Sequence, residues 1–165
     1  MVSECRYRVG VGFDSHALVS GRVLILGGVK IEHSKGLLGH SDGDVVIHSL
    51  IDALLGASGL PDIGELYPSD DDAYKGISSL SLLKSAYDLV LKNGYEIVNA
   101  DITIIANEPK ISNFKGVMID TISSKLRTER DNINIKGKTF EGIDGGCESI
   151  ASISVVMLKS MEGER

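Results

Sequence analysis

Two-residue and 3.6-residue hydrophobic periodicity alternate along this chain of 165 residues, and that alternation restricts it to helices packed on a sheet. YEIVNADITIIA, from Tyr95 to Ala106, is the clearest strand, β-branched and alternating at first, and Asn107-Glu108-Pro109 stops it. Tyr7 to Phe13 also alternates and reads as a strand ending at Asp14. Val23 to Leu26 and Val29 to Ile31 flank Gly27-Gly28 and read as a hairpin or a bulged pair. His33 to Gly39 reads as a loop. Ser41 suits an N-cap, with Asp42 and Asp44 in a first turn where the helix dipole favours negative charge, and the helix runs to about Ala57. Leu60 to Lys75 is an irregular acidic loop. Ser79 caps a helix over about Leu80 to Lys92, which Asn93-Gly94 ends. A third helix, over about Asn113 to Leu126, buries Phe114, Val117, Met118, Ile122 and Leu126. Asn132 to Lys136 is a short strand, a Gly-rich loop follows to about Gly146, and Ile150 to Leu158 is the last strand.

This order predicts an α/β protein of the two-layer α+β kind, a mixed sheet with helices on one face and ferredoxin-like elements. The length suits a single domain over 1–165, with 1–6 as an N-terminal extension and 160–165 as a C-terminal tail. The uncovered sheet face then has to be buried elsewhere, and self-association is the simplest solution.

Composition narrows the functional classes. The chain is 42% hydrophobic and 24% charged, the balance of an ordinary globular protein. No run approaches the roughly 20 apolar residues that cross a bilayer, and MVSECRYR lacks the apolar core of a secretory signal. The expected setting is cytoplasmic, with no membrane partner. A net charge of −6 with scattered basic residues argues against a nucleic-acid partner. Cys5 and Cys147 form no CxxC, so neither a disulfide framework nor a thiolate metal site is supported.

The candidate chemistry lies in GFDSH, Gly12 to His16, and HSDGDVVIH, His40 to His48. Together they hold three of the four histidines. Asp14 and His16 stand two apart, so a strand end projects both to one side. His48 lies on a helix, in a ridge with Asp44 and Asp52 at four-residue spacing, where either carboxylate could orient its ring. Two imidazoles and a carboxylate from separate elements suit zinc with one position left open. For His48 alone, an exposed histidine on a salt-bridged flank is the blander alternative. Asp62-Ile63-Gly64 could hold a ligand through a tight turn or be a polar surface turn. IKGKTFEG fails as a Walker loop, because the place of its first glycine is held by Asn132. Its Gly137, Lys138, Thr139 and Glu141 still offer N–H groups, a cation, a hydroxyl and a carboxylate, a set suited to a diphosphate bridged by a divalent cation.

GFDSH, KGLLGHSDGDVVIHSLIDALLGA, PDIGELYP, DITIIANEPK and NIKGKTFEG occur in the order and spacing of the 2-C-methyl-D-erythritol 2,4-cyclodiphosphate synthases, which the chain resembles from about Tyr7 to Leu158. The resemblance implies a homotrimer of α/β subunits with active sites at subunit interfaces. It implies cyclisation of 4-diphosphocytidyl-2-C-methyl-D-erythritol 2-phosphate with release of CMP, a phosphorus–oxygen lyase step of non-mevalonate isoprenoid biosynthesis. By position, Asp14, His16 and His48 correspond to zinc ligands that also face substrate. His40, read with Thr139 as catalytic, and Ser41 correspond to contacts with the terminal phosphate. Asp62, Ile63, Gly64, Tyr67 and Asp71 match the methylerythritol site. Ala106, Pro109, Lys110 and Ile111 match the cytidine pocket. Gly137, Lys138, Thr139 and Glu141 match the diphosphate segment, with Glu141 as ligand to a bridging Mg²⁺ or Mn²⁺. Ser69, Lys138 and Gly146 depart from residues common in the family.

Overall fold

The computed structural model describes residues 6–39, 41–68, 76–142 and 148–161. His40, Ser69, Asp71 and Gly146 lie outside the described residues, as do 1–5 and 162–165.

A five-stranded mixed sheet carries the fold. Its strands are β1 (Tyr7–Ser20), β4 (Lys35–Leu37), β5 (Tyr95–Ala106), β6 (Ile133–Lys138) and β7 (Ser149–Ser160), in the order β4-β1-β7-β5-β6. Only β5 and β6 are paired in parallel, through the helix α4 (Lys115–Leu126). Both β1 and β5 run antiparallel to β7, which lies between them. They are therefore parallel to each other, a split β-α-β unit of the ferredoxin-like kind. A separate hairpin, β2 (Leu24–Leu26) and β3 (Val29–Ile31), turns through Gly27 and Gly28, both at positive φ. Two such residues in succession match the turn to the strand twist, which is why the sequence spends two glycines there.

The helix α1 (Val45–Ser58) is the centre of the molecule, packed on β1 and β7 and, across from them, on α3 (Ser79–Lys92). Every residue of α1 is buried except His48, Asp52 and Gly56, which form one stripe at four-residue spacing. Close approach to the sheet depends on Gly10 and Gly12. A Cβ on Gly10 would stand 2.1 Å from the Ala53 carbonyl oxygen, and one on Gly12 would stand 1.9 Å from that of Ser49.

Several boundaries differ from the sequence reading. β1 continues seven residues past Phe13, because pairing with β7 extends to Ala17 and with β4 to Ser20. Asp14 and His16 are thus inside a strand, and part of the expected His33–Gly39 loop is β4. The N-cap of α1 is Asp44, not Ser41, and Asp44 precedes the first turn rather than lying in it. Asp44 wins because its fully buried carboxylate also accepts from the hairpin turn: Oδ1 takes the Gly27, Val46 and Ile47 N–H groups and Oδ2 that of Gly28. Burial pushes this carboxyl up to about 6, the N–H donors acting against that rise. Within the expected acidic loop, Ile63–Leu66 forms a short helix, α2, capped by Asp62. Ser78, not Ser79, precedes α3. The third helix starts at Lys115, after a 3-10 turn over Ile111–Asn113, and Val117 is exposed because Met118, Ile119 and Ile122 define the inward face.

Asp44→Asn is expected to cost about 2 kcal/mol, since an amide nitrogen would face the Gly28 N–H, donor against donor. Urea denaturation would show the midpoint fall with an unchanged slope.

Helices cover one face of the sheet. On the other, Val9, Val11 and Phe13 of β1 are 61%, 64% and 59% exposed, and they stand beside Met157, Val155 and Ile153 of β7 in register. Next to this apolar patch, Asp101 of β5 meets Asn134 and Lys136 of β6. Among the described residues no helix is long and apolar enough to cross a membrane.

Candidate metal centre

Asp14 and His16 follow Gly10 and Gly12 at two-residue spacing, so they share the face of β1 that α1 covers. His48 meets them from the unburied stripe of α1. Asp14 Oδ2 lies 3.0 Å from His48 Nδ1 and 3.3 Å from His16 Nε2. The two rings stand nearly perpendicular at 79°, with centroids 6.2 Å apart. Among the described residues this is the group that could hold a metal, its three ligand atoms all within 4.8 Å of one another. A tetrahedral ion with bonds of about 2.0–2.1 Å spaces its ligands about 3.3 Å apart. The two edges that include Asp14, at 3.0 and 3.3 Å, are close to that spacing, so the donor set fits a divalent cation such as zinc.

The electrostatics agree with this. Burial alone would raise the Asp14 carboxyl, but hydrogen bonds and charge from His16 and His48 hold it well below the usual carboxylate range. Burial opposes charge on His48, yet Asp14, Asp44 and Asp42 together raise its pKa. Such a group attracts cations.

The expectation that Asp44 or Asp52 orients His48 is not met. Asp44 is committed to the hairpin turn, and Asp52 accepts from the Ile63 N–H at 2.9 Å. Burial raises the Asp52 carboxyl, with that N–H opposing and the charges of Asp62 and Asp14 adding. The neighbours of His48 are instead Ser79 and Ser41, whose hydroxyls lie 2.9 Å and 3.3 Å from Nε2. Ser79 escaped the sequence reading because it comes from another helix, and its place at a helix start already explained a serine.

The other expected residues fall into two groups. The Asp52 bond ties Asp62, Ile63 and Gly64 to α1. A cavity of about 270 Å³ opens there, lined by residues 11–13, Asp52, Gly56, Leu60 and Asp62. Tyr67 ends α2. The second group gathers at the carboxyl ends of the parallel strands β5 and β6, where open sheets usually bind ligands. Ala106 ends β5, Pro109 follows a cis bond, and Lys110 precedes Ile111, which lies against Gly137. The Thr139 hydroxyl donates to Glu141, and the Phe140 N–H donates to Asn107, joining the two segments. His16, Ile150 and Ala106 are in register across β1, β7 and β5. At about 4.8 Å per strand, the metal triad and the second group lie at one end of the sheet, some 10 Å apart across β7.

Comparison with known proteins agrees with this architecture. A family model described as the YgbB family matches residues 7–159. The 2-C-methyl-D-erythritol 2,4-cyclodiphosphate synthase of Clostridium acetobutylicum is 52% identical over 153 residues, 92% of this chain and 99% of that protein. The bifunctional IspDF from Campylobacter jejuni superposes with a TM-score of 0.91 at 45% identity, over 96% of this chain and 43% of that one. A CDP-bound structure of a 2-C-methyl-D-erythritol 2,4-cyclodiphosphate synthase superposes with a TM-score of 0.86 at 38% identity, over 92% of this chain and 99% of that one. On a matched span that reaches from the first strand into the last, the chain belongs to the YgbB family.

Proposed function

We propose that this protein cyclises 4-diphosphocytidyl-2-C-methyl-D-erythritol 2-phosphate to 2-C-methyl-D-erythritol 2,4-cyclodiphosphate and releases CMP. The observation that carries the reading is the convergence of Asp14, His16 and His48, in a member of this family, with a second polar cluster at the same end of the sheet. A divalent cation held by the three, zinc in this reading, would supply Lewis-acid neutralisation of phosphate charge.

The protein's own groups bind and align. Asp62, Ile63 and Gly64, continued by Tyr67 and Asp71, hold the methylerythritol hydroxyls. His40 and Ser41 meet the terminal phosphate. Ala106, Pro109, Lys110 and Ile111 receive the cytidine. Gly137, Lys138 and Thr139 cradle the diphosphate, and Glu141 would hold the Mg²⁺ or Mn²⁺ that neutralises its charge. A 2-phosphate oxygen then bonds to the β-phosphorus as the bond from that phosphorus to the oxygen of CMP breaks, with no water consumed. Both partners are anionic, so alignment and charge neutralisation carry the rate. The apolar face of β1 and β7 supports self-association; in this reading the assembly is a cytoplasmic homotrimer with sites completed between subunits.

The test is CMP release with Mg²⁺ before and after zinc chelation. Release that chelation abolishes and added zinc restores is the expected result. Well-folded, zinc-loaded protein that releases no CMP would overturn the reading.

A further inference from the structure

His48 uses its two ring nitrogens in opposite directions. Nδ1 faces Asp14, and Nε2 faces the Ser79 hydroxyl at 2.9 Å. Ser79 is completely buried, the first residue of α3, and both of its protons go to one acceptor. Its hydroxyl donates to Asp42 Oδ1, and its backbone N–H donates to Asp42 Oδ2 at 2.9 Å. Asp42 therefore closes the start of α3 from outside that helix, where the Ser78 side chain makes no capping bond.

Counting protons gives this chain of contacts a direction. A hydroxyl has one proton, and a carboxylate only accepts. With its proton committed to Asp42, the Ser79 oxygen presents only lone pairs to His48. Nε2 must then carry hydrogen. In a neutral imidazole that leaves Nδ1 bare and aimed at the point shared by Asp14 Oδ2 and His16 Nε2, as a metal donor must be. Ser41, the other hydroxyl near Nε2, is 3.3 Å away and less favourably placed.

We propose that Ser79 and Asp42 are positioning residues of the metal centre, holding His48 in the Nε2–H tautomer with Nδ1 turned to the cation. The inference rests on the reading that Asp14, His16 and His48 bind a divalent metal. It gives a carboxylate on the α1 approach and a serine on α3 the task that a carboxylate often performs directly on a metal-bound histidine.

The experiment measures zinc affinity by competition with a chelating dye, and the visible absorption of the Co²⁺-substituted protein, in the full chain. Ser79→Ala removes the acceptor for Nε2–H. Asp42→Asn keeps size but lets an amide N–H donate to the Ser79 oxygen, turning that hydroxyl proton toward His48 and favouring the wrong tautomer. Each variant is expected to bind zinc about 10–100-fold more weakly and to shift the Co²⁺ bands, whereas Ser79→Thr, which keeps the hydroxyl, restores both. Should Ser79→Ala fail to fold, Asp42→Asn carries the test. Wild-type affinity and spectrum in either folded variant, even with lowered thermal stability, would reduce the pair to a helix cap and overturn the proposal. If the wild type binds no zinc, or His16→Ala binds it as tightly, the underlying metal reading falls as well.

Discussion

His16→Ala is expected to lower CMP release about 10³-fold, which at 1.36 kcal/mol per decade is a loss of about 4 kcal/mol of transition-state stabilisation. His16 is half-buried, on a strand held by eleven register pairs with β7, so its removal leaves the fold intact. What it removes is one of three donors around a point where the reacting phosphates carry several negative charges. Two remaining donors, Asp14 and His48, would then pair with each other at 3.0 Å rather than share an ion. Metal analysis of the purified variant should show zinc lost in parallel with rate, while circular dichroism matches the wild type. Full activity in a variant without zinc would separate the triad from the chemistry and sink the mechanism.

Gly12→Ala is the second large effect, and it acts on stability. The new methyl would lie 1.9 Å from the Ser49 carbonyl oxygen and 2.7 Å from the Ala53 nitrogen. Both are backbone atoms of α1, which has no flexible side chain there to give way. Overpacking normally costs about 1–3 kcal/mol, and a clash with helix backbone belongs at or beyond the upper end. A loss of about 3 kcal/mol lowers the melting temperature by about 6–12 °C in a chain of this size. Calorimetry measures this directly. A melting temperature within a degree of wild type would mean that α1 does not sit against β1 as closely as described.

Much of this architecture is visible in the sequence because single residues settle it. Tyr95–Ala106 is the clearest strand in the pattern, and Gly27-Gly28 allows a hairpin turn or a bulge, of which the structure has the hairpin. Asp14, His16 and His48 were identifiable because their types and spacings suit one chemistry wherever the elements meet. The cap of α1 was not, since Ser41, Asp42 and Asp44 are all good N-caps locally, and the choice among them is made by a hairpin turn 16 and 17 residues upstream. β4 escaped for a similar reason: three residues, Lys35–Leu37, become a strand only because β1 extends far enough to pair with them. Val117 was misplaced because a helix with apolar residues on two sides does not reveal which side faces in. The partner of His48 was hidden most completely, as no local pattern links Asp42 to a serine 37 residues away.

The unburied stripe of α1 bears on how the site moves. His48 is carried by the helix with the fewest exposed positions, wedged between the sheet and α3. Amide protons around it should exchange with deuterated solvent only when the whole molecule opens, at the slowest rate the chain shows. A cation held through His48 would then sit on a frame as rigid as the protein itself.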